Sequence, residues 1–129
     1  MQVYIYDMMI CTDLTIAFNG KSKVLKNVVI DTGAAQSILN SACVEEVGIV
    51  PNTSDKILKT KGIGGEMKFF YRCVDEIKID NNVFHNIEID FGNIDPKGEI
   101  MGLIGLDLLN RLRAVIDVEV PLVYGKNKE

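Results

Sequence analysis

The sequence Val28-Val29-Ile30-Asp31-Thr32-Gly33-Ala34-Ala35-Gln36-Ser37 decides how this chain folds. Its β-branched apolar residues predict a strand that ends at Asp31. Thr32 and Gly33 then turn the backbone, and the small residues that follow leave room for a ligand or another chain. An ionised carboxylate beside an apolar strand is costly unless it is solvated, hydrogen-bonded or used in chemistry. We therefore take Asp31 as a candidate catalytic carboxylate.

Length and composition predict one globular domain. The chain has 129 residues, of which 47% are apolar and 25% are charged. These values are ordinary for a soluble protein, and the length supports one hydrophobic core but is short for two. We expect a single domain over residues 1–129.

Charge and hydropathy limit the partners. The net charge of −4 gives no support to nucleic-acid or anionic-membrane binding, because both select basic patches. No apolar run approaches the ~18 residues of a membrane span. The N-terminal segment has no basic start and is interrupted by Asp7 and Asp13, so it is not typical of a signal peptide. We expect a cytoplasmic protein with no nucleic-acid or membrane partner.

The cysteines predict neither a disulfide framework nor a metal site. They are odd in number and widely spaced, at Cys11, Cys43 and Cys73. This pattern favours reduced structural thiols and implies no metal or other cofactor. A nucleophilic cysteine would need His85, the single histidine, and nothing around the cysteines indicates activation.

Three segments have the pattern of β-hairpins. Asn19-Gly20 is a strong turn signal, and Asn81-Asn82 turns the chain after the alternating strand 76–80. Residues 56–71 form two extended arms around three closely spaced glycines. We interpret this hairpin as a mobile cover over a ligand, with a plain surface hairpin as the alternative.

Shorter elements complete the β-rich pattern. A short helix is predicted over 41–47, capped by Asn40 or Ser41, and a second over 106–112. The apolar strand 100–105 contains glycines, which indicate close backbone approach. A last interior strand, 114–118, precedes a polar tail.

In their order and spacing, these segments resemble those of retropepsin-like aspartic proteases. The final segment especially resembles the proteases of long-terminal-repeat retrotransposons and their single-domain bacterial relatives. The resemblance spans residues 14–118. It implies an all-β acid protease fold, a closed β-barrel-like half-domain with a flap hairpin and one or two short helices. The motifs are Asp31-Thr32-Gly33-Ala34, Gly62-Ile63-Gly64-Gly65, Leu103-Ile104-Gly105-Leu106-Asp107-Leu108-Leu109 and Ala114-Val115-Ile116-Asp117.

The resemblance also assigns roles to site residues. Asp31 would be the catalytic carboxylate, and Thr32 would hydrogen-bond across a dimer axis. Gly33 would let two such loops approach, while Gly105 would pass beneath the loop and brace it. Substrate contacts would come from the groove and the flap tip, at Ala34, Ala35, Ile63, Gly64 and Gly65.

Two positions depart from the retroviral pattern. Those enzymes place an acidic residue two positions after the glycine of the triplet and an arginine just after the glycine of the later strand. Here the two positions hold Ala35 and Leu106. The ion pair that supports the retroviral dimer is therefore absent, and a dimer would rest on other contacts.

The single Asp-Thr-Gly triplet implies a homodimer. Peptide hydrolysis by carboxylates needs one group to activate water and another to protonate the carbonyl oxygen. One chain supplies only one such triplet, at Asp31. We therefore expect a homodimeric aspartic endopeptidase that binds a peptide substrate at a site on the two-fold axis. The alternatives are a non-catalytic binding or assembly module with the same fold and a generic β-sandwich.

The other acidic residues have plainer interpretations. Asp107 is expected to cap the helix that begins there, and Asp117 has no predicted role. His85 is expected to face solvent. A solvated surface is the expectation for Asp80, Asp90, Asp95 and Glu99.

Overall fold

Ten strands, two 3-10 helices and one α-helix follow one another in the computed structural model, which describes residues 1–52, 58–62 and 65–126. The helical segments are Ser41–Cys43 and Glu45–Val47, both 3-10, and α1, Leu106–Arg111. The strands are β1 (Tyr4–Tyr6), β2 (Met9–Phe18), β3 (Lys21–Ile30), β4 (Ile38–Asn40), β5 (Leu58–Gly62), β6 (Gly65–Ile79), β7 (Asn82–Gly92), β8 (Gly102–Ile104), β9 (Ala114–Asp117) and β10 (Leu122–Gly125).

Six strands close into a barrel. The main sheet has the order β1-β2-β3-β8-β4-β7-β6-β5, and β2 also pairs with β6. This extra pairing joins β2, β3, β8, β4, β7 and β6 into a ring, which leaves β1 and β5 outside it. Closure leaves no open edge among the six ring strands, while β1 and β5 end the sheet on either side. The predicted all-β, barrel-like fold is confirmed.

The hairpin turns follow local backbone chemistry. Asn19 (φ 54°) and Gly20 (φ 81°) join β2 to β3 in the positive-φ conformation that Asn-Gly favours. The second predicted turn lies one residue earlier than expected, because Asn82 already pairs with Ile79 in the sheet. Its turn residues are therefore Asp80 (φ 54°) and Asn81.

The first predicted helix is two 3-10 turns. Asn40 accepts a hydrogen bond from the Ala42 amide at 3.1 Å, so the expected cap is present. Val44 (φ −114°, ψ 3°) separates the two turns, and Gly48 ends the second with a left-handed φ of 86°.

The core fills the barrel with apolar side chains from all six strands of the ring. On β7, Ile87, Ile89 and Phe91 are buried, as their alternation predicts. Phe70 of β6 stacks on Phe91 with ring centroids 5.5 Å apart, so it belongs to the core, while Phe69 is only half-buried. Burial of such side chains contributes ~1.5–3 kcal/mol each.

The C-terminal segment differs from the prediction. The expected strand is present as β9, but the expected polar tail contains β10, which pairs with β9 in a separate two-stranded sheet. Asp117 stabilises the turn between β9 and β10, since its carboxylate accepts hydrogen bonds from the amides of Glu119 at 3.0 Å and Val120 at 3.4 Å. In the described part of the chain, no helix is long and apolar enough to cross a membrane.

Strand β8 and the residue after it pack closely against neighbouring segments. The strand runs parallel to β3 and antiparallel to β4. A Cβ at Gly102 would lie 2.7 Å from Leu39 Cδ2, and a Cβ at Gly105, just after the strand, would lie 2.6 Å from the Ala34 carbonyl oxygen. The close backbone approach predicted from these glycines is confirmed at Gly105, whereas the nearest neighbour of Gly102 is a side chain.

We expect Gly105→Ala to destabilise the chain more than Gly102→Ala. The Gly105 methyl would meet backbone atoms that cannot move alone, whereas the Gly102 methyl would meet the end of a leucine side chain. Overpacking of this kind costs ~1–3 kcal/mol, and we expect Gly105→Ala at the top of that range. Urea denaturation of both variants measures the difference; equal losses would contradict the close backbone packing beneath Ala34.

Candidate active site

Asp31 lies in a tight loop directly after β3. Its amide donates a 2.9 Å hydrogen bond to the Ile104 carbonyl, so β8 fixes its backbone. Its carboxylate Oδ1 accepts the Gly33 amide at 2.9 Å, and its carbonyl accepts the Ala34 amide at 3.2 Å. The Asp31 side chain remains half-buried. The loop therefore holds one oriented carboxylate within reach of a ligand.

The start of α1 braces this loop from below. The Leu106 amide donates to the Ala34 carbonyl at 2.8 Å, and the Asp107 amide donates to the Ala35 carbonyl at 3.2 Å. Gly105 makes this approach possible because a side chain there would collide with the loop backbone. The predicted contact between the Gly105 segment and the Asp31 loop is thus present.

Ser37 and Asp107 form a partly buried link that the sequence did not reveal. The Ser37 hydroxyl donates to Asp107 Oδ1 at 2.6 Å and accepts the Gly105 amide at 2.9 Å. The Ser37 amide also donates to the same carboxylate oxygen at 2.9 Å. One hydroxyl thus connects the end of the Asp31 loop to both β8 and α1.

The predicted capping role of Asp107 is wrong in its detail. Gly105 occupies the N-cap position of α1, and Asp107 lies inside the first turn, where its carboxylate accepts the Leu108 amide at 2.8 Å. The same carboxylate oxygen also accepts two hydrogen bonds from Ser37. The sequence offered two weak signals for this link, a serine after the small-residue loop and an acidic residue in the first turn of the predicted helix. Only the fold brings the two residues together.

Thr32, next to Asp31, is exposed and faces an open, mostly apolar cavity. The cavity has a volume of about 450 Å³ and is lined by Thr32, Leu106, Leu109, Asn110, Arg113, Ala114 and Ile116. Ala35 is exposed and Ala34 is half-buried. Leu106 is 49% exposed, so an apolar surface occupies the place where the ion pair of the resembled enzymes would lie.

The glycine-rich hairpin is present as a backbone feature. β5 pairs with β6 from Leu58 opposite Phe69 to Gly62 opposite Gly65. Gly65 thus lies at the end of the ladder, at the predicted tip. Ile63 and Gly64, the other predicted tip residues, lie outside the described residues.

The remaining candidates do not gather at Asp31. His85 is exposed, as predicted, with its Nδ1 3.8 Å from a Glu76 carboxylate oxygen. Cys11 and Cys43 are buried, and Cys73 is exposed, so the expectation of structural thiols suits only the first two. Among the described residues, no cluster of three or more His, Cys, Asp or Glu side chains could hold a metal ion.

Two of the other acids have perturbed environments. Asp95 accepts hydrogen bonds from the amides of Ile100 and Lys97, which lower the pKa of its carboxyl group. Asp90 is half-buried, contrary to the expected solvated surface. Burial raises the pKa of Asp90, and the nearby charges of Asp107 and Glu88 raise it further.

We expect Ser37→Ala to destabilise the fold by about 1–3 kcal/mol, because it leaves the buried Gly105 amide without its hydroxyl acceptor and removes one of the hydrogen bonds to the Asp107 carboxylate. Ser22→Ala, at an exposed position on β3, is the matched control and should stay within ~0.5 kcal/mol of the parent. Urea denaturation measures both; equal stabilities would refute the bracing role of Ser37.

We expect Asp90→Asn to stabilise the fold at neutral pH. Because the native state raises the pKa of Asp90, the folded chain binds this proton more tightly than the unfolded chain does. Stability is therefore lost as pH rises from the unfolded value of ~3.9 through the raised native value. The gain from Asp90→Asn should be present at about pH 7 and absent at about pH 3, as measured by unfolding free energies. Exposed Glu119→Gln is the control, since Glu119 is not among the charges that act on Asp90; a pH-independent gain would show that the charge is not its cause.

Comparison with known proteins agrees with this architecture. A family model described as aspartyl protease matches residues 14–108, and no curated protein sequence matches significantly. A retropepsin-like aspartic protease from Rickettsia conorii has a similar structure, with a TM-score of 0.64, 23% sequence identity and coverage of 88% of each chain. The EIAV protease bound to the inhibitor HBY-793 gives a TM-score of 0.62 and 22% identity, covering 89% of this chain and 98% of that one.

These two structural likenesses confirm the retropepsin-like fold, and the family match covers the Asp31 loop, the glycine hairpin and the strand that braces the loop. The chain belongs to the aspartyl protease family.

Proposed function

We propose that the protein is a homodimeric aspartic endopeptidase in which each subunit contributes one Asp31. The observation that carries this proposal is the carboxylate of Asp31, oriented by the Gly33 amide and fixed to β8 through its own amide. Its exposed neighbour Thr32 and the adjacent apolar surface support the approach of a second copy.

Two carboxylates brought together on a two-fold axis have complementary protonation states. At ~3 Å separation both cannot ionise, so the pair shares one proton. The ionised member accepts a proton from a water molecule, whose oxygen attacks the peptide carbonyl carbon. The protonated member donates its proton to the carbonyl oxygen. The tetrahedral intermediate then collapses as the first carboxyl gives the water's proton to the departing amine and the second takes a proton from a hydroxyl of the intermediate, which restores the pair with one shared proton.

The substrate would bind as an extended strand. The β5–β6 hairpin would offer backbone groups for this pairing, while Ala34 and Ala35 would form the groove floor and apolar side-chain pockets would give selectivity. Because activity requires one protonated and one ionised carboxylate, the rate should follow a bell-shaped pH profile centred below neutral.

A non-catalytic binding or assembly module is the second candidate function. Ala35 and Leu106 stand where retroviral enzymes carry an ion pair, and a chain that dimerises weakly would seldom assemble a complete site. The intact Asp31-Thr32-Gly33 triplet favours the enzyme, because a binding module gains nothing from a pair of carboxylates that repel each other.

We expect Asp31→Asn to abolish cleavage of an unfolded protein substrate, by at least ~10²–10⁴-fold, while the fold is retained. The amide cannot act as base or acid in the shared-proton pair. Asp80→Asn, in an exposed positive-φ turn that asparagine accepts, is the control and should keep full activity. Cleavage is followed across about pH 4–7, with circular dichroism as the test of folding. Retained turnover in Asp31→Asn would remove Asp31 from the mechanism.

Sedimentation with and without a statine-type transition-state analogue separates the two candidate functions. Dimerisation promoted by the analogue supports the enzyme, because the analogue binds only where two Asp31 side chains meet. A monomer that stays inert to the analogue at every concentration supports the binding module.

A further inference from the structure

The turn between β1 and β2 carries an exposed apolar side chain on an unfavourable backbone. Tyr6 pairs with Met9, so Asp7 (φ 47°) and Met8 (φ 62°) form a two-residue turn in which both residues have positive φ. Asn-Gly or Asp-Gly is preferred in such turns, and a long apolar side chain is disfavoured at the second position. The Met8 side chain is 95% exposed. A single chain therefore leaves Met8 both strained in its backbone and surrounded by water.

Met8 lies beside the surface that borders the candidate active site. It lines a groove of about 290 Å³ together with Met9, Ile30, Thr32, Ile116 and Val118. The cavity of about 450 Å³ described above contains Thr32, Leu106, Leu109 and Ala114. The groove and the cavity share only Thr32 and Ile116, so they flank this pair of residues on the same face.

A two-fold axis beside Thr32 brings these unlike features together. In a symmetric interface, the surface on one side of the axis in one copy contacts the surface on the opposite side of the axis in its partner. The groove side of one copy, with its projecting Met8, therefore meets the cavity side of the second copy. The geometry is reciprocal, so each subunit offers one projecting side chain and one cavity.

We propose that Met8 of each copy inserts into the partner's cavity beside Leu106 and Ala114, and that this pair of contacts holds the dimer. The inference rests on the proposed function, because it takes the axis from the pairing of two Asp31 side chains. Methionine suits the contact since its flexible chain fills irregular apolar space. The half-exposed Leu106 at the cavity gives this dimer an apolar contact where retroviral enzymes have an ion pair.

Met8→Gly tests the contact without loss of the turn. The substitution gives the two turn positions the sequence Asp-Gly, which is preferred where both residues have positive φ. The monomer should therefore be at least as resistant to thermal unfolding as the parent. Both copies lose an apolar side chain, and we expect the dimer dissociation constant to rise by on the order of 100-fold in sedimentation equilibrium. The control is Val83→Gly, which removes a different exposed apolar side chain, one that is 41% exposed. It should leave the dissociation constant unchanged.

A double-mutant cycle tests where Met8 docks. If Met8 contacts Leu106 of the partner, the effects of Met8→Gly and Leu106→Ala on the dissociation constant should be strongly non-additive. Multiplicative effects would overturn the cavity as the docking site. An unchanged dissociation constant in Met8→Gly, or a parent chain that stays monomeric at millimolar concentration, would overturn the proposal as a whole.

Joining two copies by a flexible linker separates this proposal from the proposed function. The linked form raises the effective concentration of the second copy to about millimolar, so linked Met8→Gly should regain peptide cleavage that the unlinked variant lacks. If neither linked form cleaves peptides while unlinked Met8→Gly still dissociates, the Met8 contact stands and the protease assignment fails. If unlinked Met8→Gly cleaves as well as the parent at micromolar concentration, the Met8 contact fails and the protease assignment stands.

Discussion

The site depends on close backbone contact between the Asp31 loop and the β8–α1 segment that crosses beneath it. Backbone hydrogen bonds join them, from Asp31 to Ile104, from Leu106 to Ala34 and from Asp107 to Ala35. Such contact is possible only where no side chain intervenes, and at Gly105 a single methyl group would fall within 2.6 Å of the Ala34 carbonyl oxygen. The barrel supports this arrangement because β8 is held between β3 and β4.

The acids near the site differ in their hydrogen-bond donors and in their exposure. Asp107 is supplied with donors by Ser37 and by the Leu108 amide, so its carboxylate is engaged in bracing the loop. Asp31 receives the Gly33 amide on one oxygen and keeps a half-buried carboxylate beside the exposed Thr32. The half-buried Asp90 feels the charge of Asp107, which adds to the effect of burial in raising the Asp90 pKa. Burial and the charge of Asp107 thus make the ionised form of Asp90 less favourable in the folded chain at neutral pH.

The surface around the loop carries exposed apolar side chains. Thr32 and Leu106 are exposed beside an apolar cavity, and Met8 projects from a turn that its own side chain disfavours. The exposed apolar side chains and the strained turn each cost free energy in an isolated chain. A second copy placed on the same face would offset these costs and would also bring the second carboxylate that peptide hydrolysis needs.

The sequence by itself determined the local elements, because these depend on neighbouring residues: the Asn19-Gly20 turn, the alternating strands and the loop at Asp31. It also indicated the family through the order of its motifs. Only the tertiary structure decided the contacts between distant segments. Ser37 meets Asp107 across 70 positions of sequence, and β10 returns along β9 where a polar tail was expected. Burial of Asp90 likewise follows from strands that pack against it and not from its own neighbours. Such pairings are set by barrel closure, which no local pattern encodes.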